Sequence, residues 1–136
     1  MIKVKIFDNR VFLLEEDKAL LSVKKDNVII FDESIKVIGE SFMQNDLTIE
    51  GLILSDNIEE VETNAFLGCK NLKFVVLGKN LNTIGQCGFT GNDALRYVIY
   101  NGTKEDFDKI SRGEPFEKLG IINCVNGIVH TVNFRG

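Results

Sequence analysis

The side chains in this sequence that could do chemistry are few. Its one histidine, His130, stands six residues after Cys124. Across a turn at Asn126-Gly127 that spacing puts the two on neighbouring strands, where a thiol nucleophile and its general base would have to be. No serine or cysteine cluster lies near His130 in sequence, so it reads as an exposed hairpin residue and not as a base. The three cysteines, Cys69, Cys87 and Cys124, are odd in number and lack metal-ligand spacing. They read as small core residues with free thiols. Glu59, Glu60 and Glu62 crowd one turn, but the alternating Asp-x-Asp-x-Asp-Gly run of a calcium loop is missing, which leaves a solvated loop. Residues 78–80 (GKN) lack the second glycine and the Lys-Ser/Thr pair of a phosphate loop. Asn101-Gly102-Thr103 fits a glycosylation sequon and equally a turn into a helix; the turn is taken. These residues predict no enzyme, no metal site and no cofactor.

The elements that would position them are set by an internal repeat. Residues 34–56, 57–79 and 80–102 superpose at a spacing of 23, and six apolar columns agree in all three copies: Ile35, Ile58, Leu81; Ile38, Val61, Ile84; Met43, Phe66, Phe89; Ile49, Leu72, Leu95; Leu52, Val75, Val98; and Leu54, Leu77, Tyr100. A period of 20 to 29 residues marks a solenoid whose coils cannot bury their apolar side alone, so each column becomes a ladder through a shared core. Each buried rung contributes about 1.5 to 3 kcal/mol. Shifted back by the same interval, Ile29, Phe31 and Leu20 fall on three columns while Glu15 and Asp26 fit none. Residues 1–33 therefore read as an N-terminal cap holding a divergent repeat, residues 34–102 as three repeats and residues 103–136 as a C-terminal cap of one domain.

Within each copy, residues 49–54 (IEGLIL), 72–77 (LKFVVL) and 95–100 (LRYVIY) read as parallel strands. Residues 39–46, 62–69 and 85–92 are too short for a full helix and read as single helical or 3₁₀ turns that swing one large side chain inward. Residues 2–8 and 10–15 alternate and suggest a hairpin about Asp8-Asn9. Thr103, an acid three residues later, and the apolar pair Phe107 and Ile110 predict a short amphipathic helix, stopped by Gly113 and Pro115. Residues 121–134 look like two strands joined at Asn126-Gly127, closing the open end.

These residues resemble the BspA-type leucine-rich repeats of bacteria, whose coils run Ile-Gly, two residues, Ala-Phe, two residues, Cys, two residues, Leu. Residues 84–89 (IGQCGF) and 61–72 (VETNAFLGCKNL) follow that wording. Residues 100–113 are similar to the family's closing segment and residues 124–127 (CVNG) to its final turn, so the resemblance covers roughly residues 12–129. It implies a mainly β, right-handed leucine-rich solenoid of about three to four coils with short helical turns, an N-terminal hairpin cap and a C-terminal helix-plus-hairpin cap. It places Cys69 at a buried position, and it implies adhesion or protein recognition at cell surfaces. Residues 1–10 lack the sustained apolar run of an export signal. The expectation is a cytoplasmic protein if the chain is whole, and a surface or secreted one if a leader has been removed.

Composition narrows the partner. With 136 residues, 44% of them apolar and 26% charged, the chain has the size and make-up of one globular domain. Its charge of −4, from 20 well-mixed acids and 16 bases, argues against nucleic acid or an anionic membrane as the main partner. No apolar run approaches the 18 residues of a membrane span, so no membrane insertion is expected. The outward strand positions are the unusual feature. In an L-x-x-L-x-L strand the third and fifth residues point away from the core, and here they are Val28 and Ile30, Gly51 and Ile53, Phe74 and Val76, and Tyr97 and Ile99. The resembling family places Ser, Thr or charged residues there. Stacked, these side chains would form a patch of roughly several hundred Å², the size at which exposed apolar surface marks an interaction site.

The sequence thus predicts a non-enzymatic module that binds a partner protein through Ile30, Ile53, Phe74, Val76, Tyr97 and Ile99. The alternatives are a self-associating structural or surface-display module that dimerises through the same face, and a face covered by the chain's own termini. A phage or mobile-element inhibitor of a host protein would suit the face equally. Replacing Phe74 and Tyr97 together by serine is expected to spare the fold, since both fall outside the ladders.

Overall fold

The computed structural model describes residues 4–7, 10–13, 22–25, 27–113 and 120–130, with side chains from Asn27 onward. The β-branched and aromatic tetrads at the predicted strand positions pair side by side. β4 (Val28–Phe31), β6 (Gly51–Ile53), β8 (Phe74–Leu77) and β10 (Tyr97–Tyr100) form a parallel stack in which each Cα partner lies one 23-residue period away, as in Gly51, Phe74 and Tyr97. Four stacked coils result, and the leucine-rich solenoid expected from the repeat is the fold observed.

Both ends of this sheet turn antiparallel. β1 (Val4–Phe7) and β2 (Arg10–Leu13) make the predicted hairpin, with Phe7 opposite Arg10. β3 (Ser22–Lys25), unforeseen in the sequence, joins β2 to β4 by antiparallel pairing on both sides. Leu20, Glu15 and Asp26 lie outside the described residues. At the other end β12 (Ile121–Cys124) continues the parallel stack beside β10, and β13 (Gly127–His130) folds back on it. The turn sits one residue earlier than expected: Cys124 pairs with Gly127, so the loop is Val125-Asn126, and Gly127 opens β13 at φ 144°. The rest of the expected second strand, residues 131–134, lies outside the described residues.

A second, four-stranded sheet runs down the next side of the coils, from β5 (Val37–Ile38) through β7 (Glu60–Val61) and β9 (Thr83–Ile84) to β11 (Ser111–Arg112). Two residues are too few to show a strand's alternation, and only the Ile38, Val61, Ile84 column betrayed it. Between β10 and β11 stands α1 (Lys104–Asp108), capped by the Thr103 hydroxyl, which accepts from the Asp106 amide at 3.0 Å. Its buried Phe107 meets Tyr100 edge-on at 5.5 Å.

The third side departs from expectation. Instead of helical or 3₁₀ turns, each coil makes a chain of tight turns with left-handed residues at two fixed positions: Ser41, Asn64 and Cys87 (φ 56° to 61°), and Asn45, Gly68 and Gly91 (φ 62° to 76°). Left-handed residues break a helix. They also aim amides along the stack, where Met43 N donates to Ala65 O at 2.7 Å, Asn45 N to Leu67 O at 2.7 Å, and Phe66 N to Gly88 O at 2.9 Å. Met43, Phe66 and Phe89 still swing inward, and Phe66 stacks on Phe89 at 5.3 Å. Of the eighteen column residues named above, only Leu95 is less than buried.

A left-handed backbone costs a non-glycine residue about 1 to 2 kcal/mol, and asparagine least. Ser41→Asn, copying Asn64, is expected to raise stability by roughly 0.5 to 1 kcal/mol in urea unfolding; no gain would mean the Ser41 turn is not under strain.

Candidate functional site

The strand side of the solenoid presents two rows of outward side chains. One runs Ile30, Ile53, Val76, Ile99 and on to Asn123 and Ile128; the other runs Val28, Gly51, Phe74, Tyr97 and on to Ile121 and His130. The inward neighbours Ile29, Leu52, Val75 and Val98 are at most 1% exposed, whereas Tyr97 is 65% and Ile99 43% exposed. All six residues predicted for binding lie on this face. They are not equivalent. Ile30, Tyr97 and Ile99 stand clear, while Ile53, Phe74 and Val76 are half-buried.

Phe74 explains much of that difference. A Cβ built on Gly51 would fall 2.2 Å from the tip of the Phe74 ring, so the ring lies flat across the glycine of the neighbouring strand. This cross-strand cover shields backbone that glycine leaves bare. Phe74 is therefore part of the packing, contrary to its assignment outside the ladders.

Between β10 and β12 the face deepens into a groove of about 500 Å³, walled by Tyr97, Ile99 and Val125, with the amides of Asn101 and Asn123 at its polar side. Asn123 itself donates to the Val98 carbonyl at 3.3 Å. Sequence reasoning missed the extension through Ile121, Val125 and Ile128, all exposed. Along one end of the strands Lys73 reaches back to Glu50 at 3.1 Å, Asn27 donates to the same carboxylate, and Arg96 donates to the carbonyls of Asp93 and Leu95. Lys73, with the Asn27 amide, holds the Glu50 carboxyl below its ordinary range.

The residues weighed for chemistry do not converge. Cys124 faces inward against the core and His130 pairs with Ile121 on the outward face, so the two occupy opposite sides of the sheet. Burial, aided by the charge of Asp108, pushes the Cys124 thiol up. Glu59 lies 4.0 Å from Lys36, and the Glu62 carboxylate accepts from the Glu40 amide at 2.9 Å. Among the described residues no three histidines, cysteines or acids are grouped to hold a metal, and no helix is long and apolar enough to cross a membrane. Thr103 of the sequon-like triplet is spent on the helix cap. Cys69 is buried, donating to the Met43 carbonyl at 3.2 Å, and burial pushes its thiol up to about 12.

Sequence comparison agrees with the coils. The model of the BspA type leucine rich repeat region (6 copies) matches residues 16–111, more than half of the chain. The chain belongs to the BspA-type leucine-rich repeat family. No curated protein matches this BspA-type module. Among solved structures it is similar to a leucine rich cell surface protein from Faecalibacterium prausnitzii A2-165, at 11% identity and a TM-score of 0.36, over 79% of this chain and 42% of that one. The module thus spans less than half the length of that protein. Family membership marks it as a protein-interaction or surface repeat module.

Two outcomes follow for the BspA-type module. Phe74→Ser is expected to lower stability by about 2 kcal/mol, since it uncovers Gly51 and removes a half-buried ring, while Tyr97→Ser stays within about 0.5 kcal/mol; equal urea midpoints would refute the cover. A thiol with a raised folded value keeps its proton in the native state after the unfolded chain has lost it. Stability should therefore fall as pH rises from about 9 towards about 12, and this fall should be weaker in Cys69→Ala.

Proposed function

We propose that the chain is a protein-binding module that docks its partner on the outward strand face, with Ile30, Ile53, Val76, Tyr97 and Ile99 as contacts and Phe74 as the packed floor beneath them. The observation that carries this reading is the exposure of Ile30, Tyr97, Ile99, Ile121 and Ile128 on one continuous sheet surface. Strands apolar on both faces are ordinarily covered on both. A patch of this kind with an aromatic near its middle and charged residues at the strand ends has the make-up of a protein interface centre. The groove beside Tyr97 suits an aliphatic or aromatic side chain, and the Asn101 and Asn123 amides suit a carbonyl or hydroxyl next to it. Nothing in this reading needs catalysis, a metal or a cofactor. The caps at residues 1–33 and 103–136 would serve to close a single domain around the three regular repeats.

A photo-crosslinking amino acid at position 99, expressed in the native cell, is expected to give a discrete protein adduct, whereas the same probe at Thr83 on the second sheet gives none. No adduct from position 99, or the same adduct from both, would remove the strand face as the binding surface.

A further inference from the structure

The residues that flank the stacked strands are sorted by charge. Immediately before β4, β6, β8 and β10 stand Asn27, Glu50, Lys73 and Arg96; just after them come Asp32 and Glu33, Ser55 and Asp56, Gly78 and Lys79, Asn101 and Gly102. The first two coils thus border the face with Asp32, Glu33, Glu50 and Asp56, and the next two with Lys73, Lys79 and Arg96. None of the seven is buried. The sign changes between β6 and β8.

We propose that the strand face is occupied by a second copy of this chain, packed face to face about a twofold axis that runs parallel to the strands between β6 and β8. The proposal rests on the docking role of that face and names its occupant. Rotation about such an axis keeps strand starts against strand starts and reverses the order of the coils. Glu50 then faces Lys73 of the partner subunit, and Asp56 faces the partner's Lys79, each pair occurring twice by symmetry. The other face-to-face twofold, perpendicular to the strands, keeps the coil order and opposes strand starts to strand ends. It sets Glu50 against the partner's Asp56 and Lys73 against the partner's Lys79, like charges in both cases. The sorting of charge therefore both favours self-pairing and selects one geometry for it.

The apolar rows fit the same axis. Ile30 comes opposite Ile99 of the partner subunit, and Ile53 opposite the partner's Val76, so the central row is matched to itself. Val28 and Gly51 come opposite the partner's Tyr97 and Phe74, small against large. Ile30, 46% exposed, points towards the groove beside the partner's Tyr97. Sheets packed face to face lie ~10 Å apart, a gap that extended Lys and Glu side chains bridge at the border. The eight strands from β2 to β13 overlap under this axis, giving a plane of about 38 by 13 Å, or roughly 500 Å² per protomer before side-chain relief. That is the low end for a stable interface, so association should be in the micromolar range.

Sedimentation velocity of the full chain from about 1 to 500 µM decides the matter. A dimer that weakens as salt rises is expected. Lys73→Glu/Lys79→Glu and Glu50→Lys/Asp56→Lys should each lose self-association by roughly tenfold or more, and an equimolar mixture of the two should regain it, which misfolded chains could not do. Adding Tyr97→Ser/Ile99→Ser to both should abolish the mixed dimer, which separates face pairing from bare charge attraction. A native chain that stays monomeric throughout overturns the second-copy proposal, and a crosslink from position 99 to a different protein would leave the docking face standing. A dimer indifferent to the charge variants but lost in Tyr97→Ser/Ile99→Ser overturns the axis. A dimer that survives Tyr97→Ser/Ile99→Ser overturns both.

Discussion

Amides pointing along the solenoid axis have their partners on the neighbouring coil, and the rest of the molecule depends on that demand. Buried backbone donors left unpaired cost as much as lost hydrogen bonds, so adjacent coils must present donors and acceptors at matching heights on every side. The ladder through Gly51, Phe74 and Tyr97, the short sheet through Val37, Glu60 and Thr83, and the turn bonds from Met43 and Phe66 to the coil beyond satisfy it together. A residue gained or lost in one coil would break all three. The constant 23-residue period is the visible trace of this requirement, and the apolar columns are its side-chain counterpart.

The same requirement explains what could be read in the sequence. Columns such as Ile35, Ile58, Leu81 were legible because each rung repeats the environment of the last. The outward strand residues were legible from alternation alone. The turns were not: Asn64 signals a left-handed backbone, but its counterparts Ser41 and Cys87 carry no such signal, and the ladder bonds that hold them there are long-range. The extension of the face was hidden by phase. Ile122 pairs with Val98 across 24 residues, not 23, because α1 and its flanks interrupt the coil, so Ile121 and Ile128 fell off the register that exposed the rest. The dipeptide Asn126-Gly127 marked the closing hairpin, yet glycine served as the first residue of the strand and not as the turn itself.

The strand face is where the lattice of constraints ends. Inward positions answer to the core and turn positions to the ladder, but outward strand side chains answer only to their lateral neighbours. Gly51 and Phe74 show one such local settlement, a ring laid over bare backbone. Elsewhere the face is free to be apolar or polar without cost to the coils, and in this member of the family it is apolar. Surface chemistry here is thus a property of composition at eight positions, separable from the architecture that displays them.

Uniform coil length also shapes how the chain finds its structure. Closing any coil onto the next brings together residues 23 apart, so the loop-closure entropy is the same for every regular pair and gives no coil a head start. What distinguishes the pairs is packing. The stacked rings of Phe66 and Phe89 join the second and third repeats more closely than the tilted rings of Phe31 and Phe42 join the cap to the first. The middle of the array is therefore the natural nucleus, with order spreading outward to both hairpins.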